Sequence, residues 1–213
     1  MTEAGTFPLP ANLPVPEDTG ACVHLPGHPM PPLIELASTA GGVVDLFLLS
    51  LSRPVLVFVY PRTASPGEEV PESWNALPGA RGCTPELCSI RDGLHPLVEH
   101  EPTLAIFGLS VQPTAIQQEA ATRLRLPYAL LSDESLALQK ALDLPTLQWQ
   151  GRTFLQRVTL LLKEGQITQV HYPVFPPDKA AAVALQMLNG SRHACVPESC
   201  EEADGEAEVA EAE

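Results

Sequence analysis

Positive charge is scarce in this chain: 12 Lys and Arg stand against 26 Asp and Glu, a formal net charge of -14 over 213 residues. Phosphate recognition needs clustered Lys and Arg, so the shortage excludes nucleic acid as a partner and leaves solubility as the meaning of the acidity. About half of the excess lies in the run E-S-C-E-E-A-D-G-E-A-E-V-A-E-A-E at the C-terminal end. Long apolar runs are missing too. The stretch from Val43 to Tyr60 is interrupted by Asp45 and Arg53 and broken by Pro54, whereas a membrane span needs about 20 nearly unbroken apolar residues. The first residues are acidic and proline-punctuated, with no basic segment leading into an apolar one, so no secretory signal is read there. A soluble cytoplasmic protein with no membrane partner is expected.

Two further absences narrow the chemistry. There is no C-x-x-C, which excludes a thioredoxin-type disulfide oxidoreductase. There is no His cluster near the cysteines, and Cys83-x4-Cys88 with His95 alone is a poor start for zinc, which needs three or four ligands. His24, His28, His100, His171 and His193 show no spacing that implicates them, and no internal repeat is found.

What is present is enough apolar sequence, 45% of residues, for one sizeable core. Residues 1–26, with scattered Pro and little periodicity, read as an extended arm. Residues 27–190 read as the domain, and 191–213 as an acidic disordered tail. The five cysteines are Cys22, Cys83, Cys88, Cys195 and Cys200. An odd number in a core-forming chain of this size points to a reducing compartment, where paired cysteines are more often redox-active or metal-binding than structural.

The pattern of elements is alternating. Leu33–Leu36 and Gly42–Leu46 read as strands around a turn at Ser38–Gly41. Val55–Tyr60 is a continuous β-branched run suited to a strand buried on both faces. Thr84-Pro85-Glu86 is a helix-start signature, with Thr84 as N-cap and Pro85 in the first helical position. That helix runs to Gly93, with Pro96 kinking or restarting it. Leu104–Ser110 is a second buried strand, Thr114–Leu124 a helix, and Tyr128–Leu131 a short strand. Ser132-Asp133-Glu134 then caps a helix toward Ala141. Arg157–Leu162 and Ile167–Tyr172 form a hairpin, and an Ala-rich helix from Asp178 ends at Asn189-Gly190. Such an order makes an α/β sandwich with a mixed central sheet.

Cys83 and Cys88 lie at the start of the 84–93 helix. A thiol there feels the positive end of the helix dipole and unpaired backbone N–H groups, both of which favour thiolate. Were both cysteines helical, their Cα atoms would be about 8.6 Å apart, from a rise of ~7.5 Å and a rotation of ~140°. A disulfide tolerates about 7 Å, so joining them requires the first turns, Thr84 to Arg91, to unwind.

Several motifs in order resemble the peroxiredoxin family, most closely its Q-type, bacterioferritin-comigratory-protein-like branch of the AhpC/TSA superfamily. They are V-F-V-Y-P, then G-C-T-P-E-L-C-S-I-R-D, F-G-L-S-V-Q, L-P-Y-A-L-L-S-D-E-S and R-V-T-L-L-L-K-E-G-Q-I, spread over Pro31 to Leu188. The resemblance implies a thioredoxin-like three-layer sandwich and a thiol-dependent peroxidase acting on hydrogen peroxide and organic hydroperoxides. It implies Cys83 as peroxidatic cysteine and Cys88 as resolving cysteine, joined as an intramolecular disulfide. Arg157 would flank the thiolate. A thioredoxin- or glutaredoxin-like protein would be the reductant, with no metal, flavin or haem, and the form would be monomeric.

One departure stands out. The family writes P-x-x-x-T-x-x-C, and Ala80 holds the threonine place here, beyond an apparent insertion, Glu68 to Arg81, that carries Trp74 and is expected over the mouth of the site. The peroxide-orienting hydroxyl would come from Thr63, which keeps the residue type and is preferred, or from Ser65, which keeps the spacing from Pro61. Cys195 and Cys200 repeat the five-residue offset and read as exposed tail thiols without catalytic duty, the preferred reading, or as a thiol relay or labile disulfide; Cys22 reads as an exposed thiol without catalytic duty. The departure also keeps open a second reading, a redox-inert thioredoxin-fold module that binds a partner.

Overall fold

Two antiparallel strands, β1 (Glu35–Ser38) and β2 (Val43–Asp45), turn at the expected place. This computed structural model describes the backbone of residues 12–193 and the side chains of residues 12–190. Asp45 ends β2 and caps α1 (Leu46–Ser50), its Oδ1 accepting the Leu48 N–H at 3.1 Å. The predicted buried run is β3 (Val55–Val59), with every residue buried. A short α2 (Glu72–Asn75) precedes α3 (Cys83–Asp92) and α4 (Leu94–His100), the break falling at Gly93 just ahead of Pro96. Then come β4 (Ala105–Ser110), α5 (Thr114–Leu124), β5 (Ala129–Ser132) and α6 (Ala137–Leu142). A small hairpin, β6 (Thr146–Trp149) with β7 (Arg152–Leu155), leads to β8 (Val158–Lys163) and β9 (Gln166–His171). The chain closes through a single 3-10 turn into α7 (Ala180–His193).

Seven strands form one sheet in the order β2-β1-β5-β4-β3-β8-β9. Strands β3, β4 and β5 run parallel, and the others pair antiparallel, so the sheet is mixed as the sequence implied. Alternation along β3 makes the layers. Leu56, Phe58 and Tyr60 point into a core shared with α3, α4, α5 and α7. Val55, Val57 and Val59 point into a second core shared with α1 and α6. The result is a three-layer sandwich in which β3 is covered on both sides, and truncating a fully buried side chain such as Phe58 to Ala costs about 3–5 kcal/mol.

The helical layer is set close to itself. A Cβ built on Gly93 would fall 2.5 Å from the Ala181 Cβ, so only glycine lets the end of α3 approach α7 this tightly. This contact fixes the C-terminal half of α3, and so the direction in which its N-terminus points.

Four expectations are corrected. The expected arm is not separate up to residue 26: Cys22 and Leu25 are 5% and 0% exposed in the second core, and Gly27 N–H donates to the Ile167 carbonyl at 2.8 Å. Helix α3 begins one residue before Thr84, with Gly82 as N-cap and Cys83 as first residue. Helix α7 does not stop at Asn189-Gly190 but continues to His193, since its buried face, Ala184, Met187 and Leu188, holds the turn in place. The β6–β7 hairpin and α2 were not anticipated. The hairpin turns at Gln150-Gly151, both at positive φ (49° and 72°), a geometry that suits right-twisted strands but that Gln does not advertise. The expected tail loses residues 191–193 to α7, and the rest, with Cys195 and Cys200, lies outside the described residues. Among the described residues no helix is long and apolar enough to cross a membrane.

Candidate active site

The end of β3 and the start of α3 meet above the sheet, and each is fixed by a separate cause. Gly82 sits at φ 106°, a conformation that side-chain-bearing residues resist, and this kink starts α3 at Cys83. Cys83 is therefore the first helical residue, closer to the positive end of the helix than the sequence placed it. On the other side, the loop after Tyr60 is held by the F-G-L-S-V-Q motif. Ser110 Oγ donates to the Pro61 carbonyl at 2.9 Å, and Gln112 Nε2 donates to the Thr63 carbonyl at 3.0 Å. Gln117 accepts the Tyr60 hydroxyl at 2.9 Å and donates to the Gln112 and Leu131 carbonyls at 2.8 and 3.0 Å. This buried amide network ties β3, β4, α5 and β5 beneath the site.

Arg157, just before β8, reaches the thiol. Its Nη2 lies 3.5 Å from Cys83 Sγ and donates to the Arg81 and Gly79 carbonyls at 3.0 and 3.2 Å. Its Nη1 donates to Glu86 Oε2 in a buried ion pair. Glu86 is three residues after Cys83, one turn along α3, which brings carboxylate and thiol to the same guanidinium. Cys83 Sγ also lies 3.7 Å from the Ala80 carbonyl, its acceptor when protonated.

These groups pull the thiol in opposite directions. Burial is the largest influence and pushes Cys83 above its ordinary value; Arg157 opposes it, Glu86 adds to it, and the Arg62 backbone N–H favours the thiolate. The sequence led us to expect a simple thiolate-favouring field; the structure adds a desolvation that works against it. Burial likewise pushes the Glu86 carboxyl up to about 7 against the pull of Arg157. Cys88 is raised by burial as well, with Arg91 opposing. Cys22 is pushed up to about 12, chiefly by burial and further by Asp18, so it is an inert thiol, though not an exposed one.

A cavity of about 330 Å³ opens on Cys83. Its walls include Ser65, Pro66, Val70 and Trp74 on one stretch of chain, Ala80 to Pro85 on another, and Arg62 and Arg123. The insertion thus does border the site. Trp74 anchors it by edge contacts at 5.1 Å with both Trp149 and Phe154 of the unexpected hairpin. The Arg62 guanidinium sits 5.5 and 5.6 Å from the Trp74 and Trp149 rings.

The two candidate hydroxyls separate. Thr63 is 2% exposed, is not part of the cavity wall, and turns its Oγ1 to Gln112 Oε1 at 3.2 Å. Ser65 lines the cavity with Cys83, its N–H held by Glu68 Oε2 at 2.9 Å. The structure therefore puts Cys83 and Ser65 on one cavity wall, sets Arg157 against the thiol from outside that wall, and leaves Thr63 off it. Cys88 lies on α3 but not on the cavity wall, as a rotation of ~140° from Cys83 requires. Sequence reasoning missed Glu86 as a site residue. The sequence offers it only as part of the Thr84-Pro85-Glu86 helix start, and the signal that could have found it is its three-residue offset from Cys83 on one helix face.

A family model described as Redoxin matches residues 25–188. The chain belongs to the redoxin family, in its Q-type peroxiredoxin branch. It is 27% identical over 189 residues to peroxiredoxin Q of Oryza sativa subsp. japonica, covering 87% of this chain and 78% of that one. The crystal structure of peroxidoxin BcpB from Mycobacterium tuberculosis superposes with a TM-score of 0.61 at 25% identity, over 78% of this chain and 97% of that one. Peroxiredoxin Q of Xanthomonas campestris gives 0.58 at 20% identity, over 74% and 90%. The redoxin match begins at Leu25, inside what the sequence read as a separate arm.

Proposed function

We propose that this redoxin is a thiol peroxidase whose working sulfur is Cys83. The observation that carries the reading is Arg157 Nη2 at 3.5 Å from a thiol that heads a helix and opens on a cavity. The thiolate of Cys83 attacks the terminal oxygen of a hydroperoxide: an S–O bond forms, the O–O bond breaks, and water or an alcohol leaves. Arg157 and the first-turn N–H groups stabilise charge on the departing oxygen. The Ser65 hydroxyl, on the cavity wall, is the group we assign to orient the peroxide in place of the threonine replaced by Ala80.

Cys88 then condenses with the Cys83 sulfenic acid, releasing water and forming an intramolecular disulfide. Both cysteines are helical in α3, so at about 8.6 Å between Cα atoms the bond needs the helix to open first. Opening Thr84 to Arg91 breaks the bond from the Tyr128 hydroxyl to the Leu87 carbonyl at 2.8 Å and that from Arg91 Nη1 to the Leu124 carbonyl at 2.8 Å. A thioredoxin- or glutaredoxin-like dithiol would close the cycle by exchange. A cytoplasmic form belongs to the same reading, supported by an odd cysteine count in a core-forming chain, and a monomeric form is what the resemblance implies. The binding-module reading is not favoured by relatives such as peroxiredoxin Q or by a neighbour described for alkyl peroxide reduction activity, the Xanthomonas campestris bacterioferritin comigratory protein.

NADPH consumption coupled through thioredoxin reductase and thioredoxin, with hydrogen peroxide as substrate, tests the function. Turnover that vanishes in Cys83→Ser supports it; a wild type silent with hydrogen and alkyl peroxides and with both reductant classes would leave the module.

A further inference from the structure

Arg157 is one cation between two acids. Its Nη2 faces Cys83 Sγ at 3.5 Å, and its Nη1 donates to Glu86 Oε2. Glu86 is 0% exposed, and its other oxygen, Oε1, is buried with no hydrogen-bond partner among the described residues. The ionisable groups that face Glu86 come from four places: Arg157 ahead of β8, Cys83 on its own helix, Tyr60 at the end of β3, and Tyr128 ahead of β5. Both tyrosines keep their protons, since burial holds them well above the ordinary range and their hydroxyls donate to Gln117 Oε1 and the Leu87 carbonyl. The balance of charge thus lies among three groups only.

A thiolate and a carboxylate on one guanidinium would leave a net negative charge out of water, which is costly. An unpaired oxygen is also far easier to bury on a neutral acid than on a carboxylate. We propose that Glu86 carries the proton whenever Cys83 carries the charge, so that the reactive state pairs a Cys83 thiolate with a protonated Glu86 across Arg157. Glu86 is then a positioning residue: its protonation decides whether Arg157 belongs to the sulfur. That burial sets the Glu86 carboxyl at about 7 makes both states accessible near neutrality.

A consequence for the chemistry rests on the peroxidase reading. Cys83 thiolate, hydroperoxide and protonated Glu86 become Cys83 sulfenic acid, alcohol and Glu86 carboxylate. Sulfur gives two electrons to the O–O bond, the leaving alkoxide gains one proton, and Glu86 releases one. After oxidation Arg157 keeps Glu86 as its acidic partner and no longer faces a thiolate.

The test uses iodoacetamide, which reports the thiolate without peroxide chemistry. Alkylation of Cys83, followed by peptide mass across pH, is compared in wild type and Glu86→Gln. The proposal expects the titration midpoint to fall in Glu86→Gln and alkylation near neutral pH to become several-fold faster. If Glu86 served only to hold Arg157 in place, the folded variant would react more slowly at every pH, which overturns the proposal. Infrared difference spectra on alkylating the wild type near neutral pH should lose a protonated-carboxyl band that Glu86→Gln lacks. Complete alkylation with no change in that band also overturns it, and this measurement decides alone should the variant not fold. The expected alkylation results without any peroxide turnover would keep the Glu86–Cys83 coupling and defeat the peroxidase reading, so the two fail separately.

Discussion

Arg157 and Cys83 are 74 residues apart in the chain and 3.5 Å apart in space. That contact joins the strand layer to the first residue of α3 and gives the sulfur a positive neighbour from outside its own helix. Replacing the fork by a point charge in Arg157→Lys leaves a cation for Glu86 but cannot serve the thiol and the Gly79 and Arg81 carbonyls together. The second-order rate of peroxide reduction should fall by roughly a hundredfold, read by stopped flow, while the variant stays folded by circular dichroism.

The hydroxyl assignment makes a paired prediction. Ser65→Ala should slow peroxide reduction by about tenfold, the worth of one transition-state hydrogen bond. Thr63→Val should instead lower stability by about 1 kcal/mol through the lost contact with Gln112 Oε1. Denaturant melts and steady-state rates on the same two proteins separate these effects. The reverse pattern would return the role to Thr63.

Much of this arrangement was legible in the sequence. The β-branched run Val55–Val59 and the helix start near Cys83 gave the strand layer and the place of the thiol, because both are local signals, whereas Arg157 beside it came only from the resemblance that the ordered motifs carry. The exact beginning of α3 was not, since Thr84-Pro85 imitates a cap two residues after Gly82, whose φ of 106° sets the true one. The burial of Cys22 was not legible either. Residues 22–30 have no periodicity and are held by backbone bonds along the β8–β9 turn, such as Met30 N–H to the Gly165 carbonyl at 2.8 Å. Trp74 looked like a loop tryptophan because its partners, Trp149 and Phe154, lie on a hairpin whose Gln150-Gly151 turn carries a weak signal.

Opening of α3 should respond to Tyr128. In Tyr128→Phe the ring still fills its site, but the bond to the Leu87 carbonyl at 2.8 Å is gone. Its loss favours the unwound helix by about 1 kcal/mol, or roughly fivefold. Disulfide formation after a single peroxide pulse should accelerate accordingly, and amide exchange of Thr84–Arg91 should quicken in the reduced protein. Unchanged exchange would show that this bond does not restrain the opening.

Stability should depend on pH through Glu86. Burial pushes its carboxyl from an ordinary 4.5 up to about 7 in the folded protein, so the folded state binds the extra proton between those values. Glu86 therefore adds stability that is complete below about 4.5 and is lost as pH rises through about 7. Urea midpoints should fall across that window in the wild type more than in Glu86→Gln. An equal slope in both would remove Glu86 as the cause.

The account stands most directly on where the first oxidation lands. Cys88→Ser, exposed to one equivalent of hydrogen peroxide with dimedone present, should carry the sulfenic adduct on the peptide containing Cys83, and Cys83→Ser should carry none on Cys88 or Cys22. Adduct on another cysteine, or a Cys83 that stays reduced while peroxide is consumed, would contradict it.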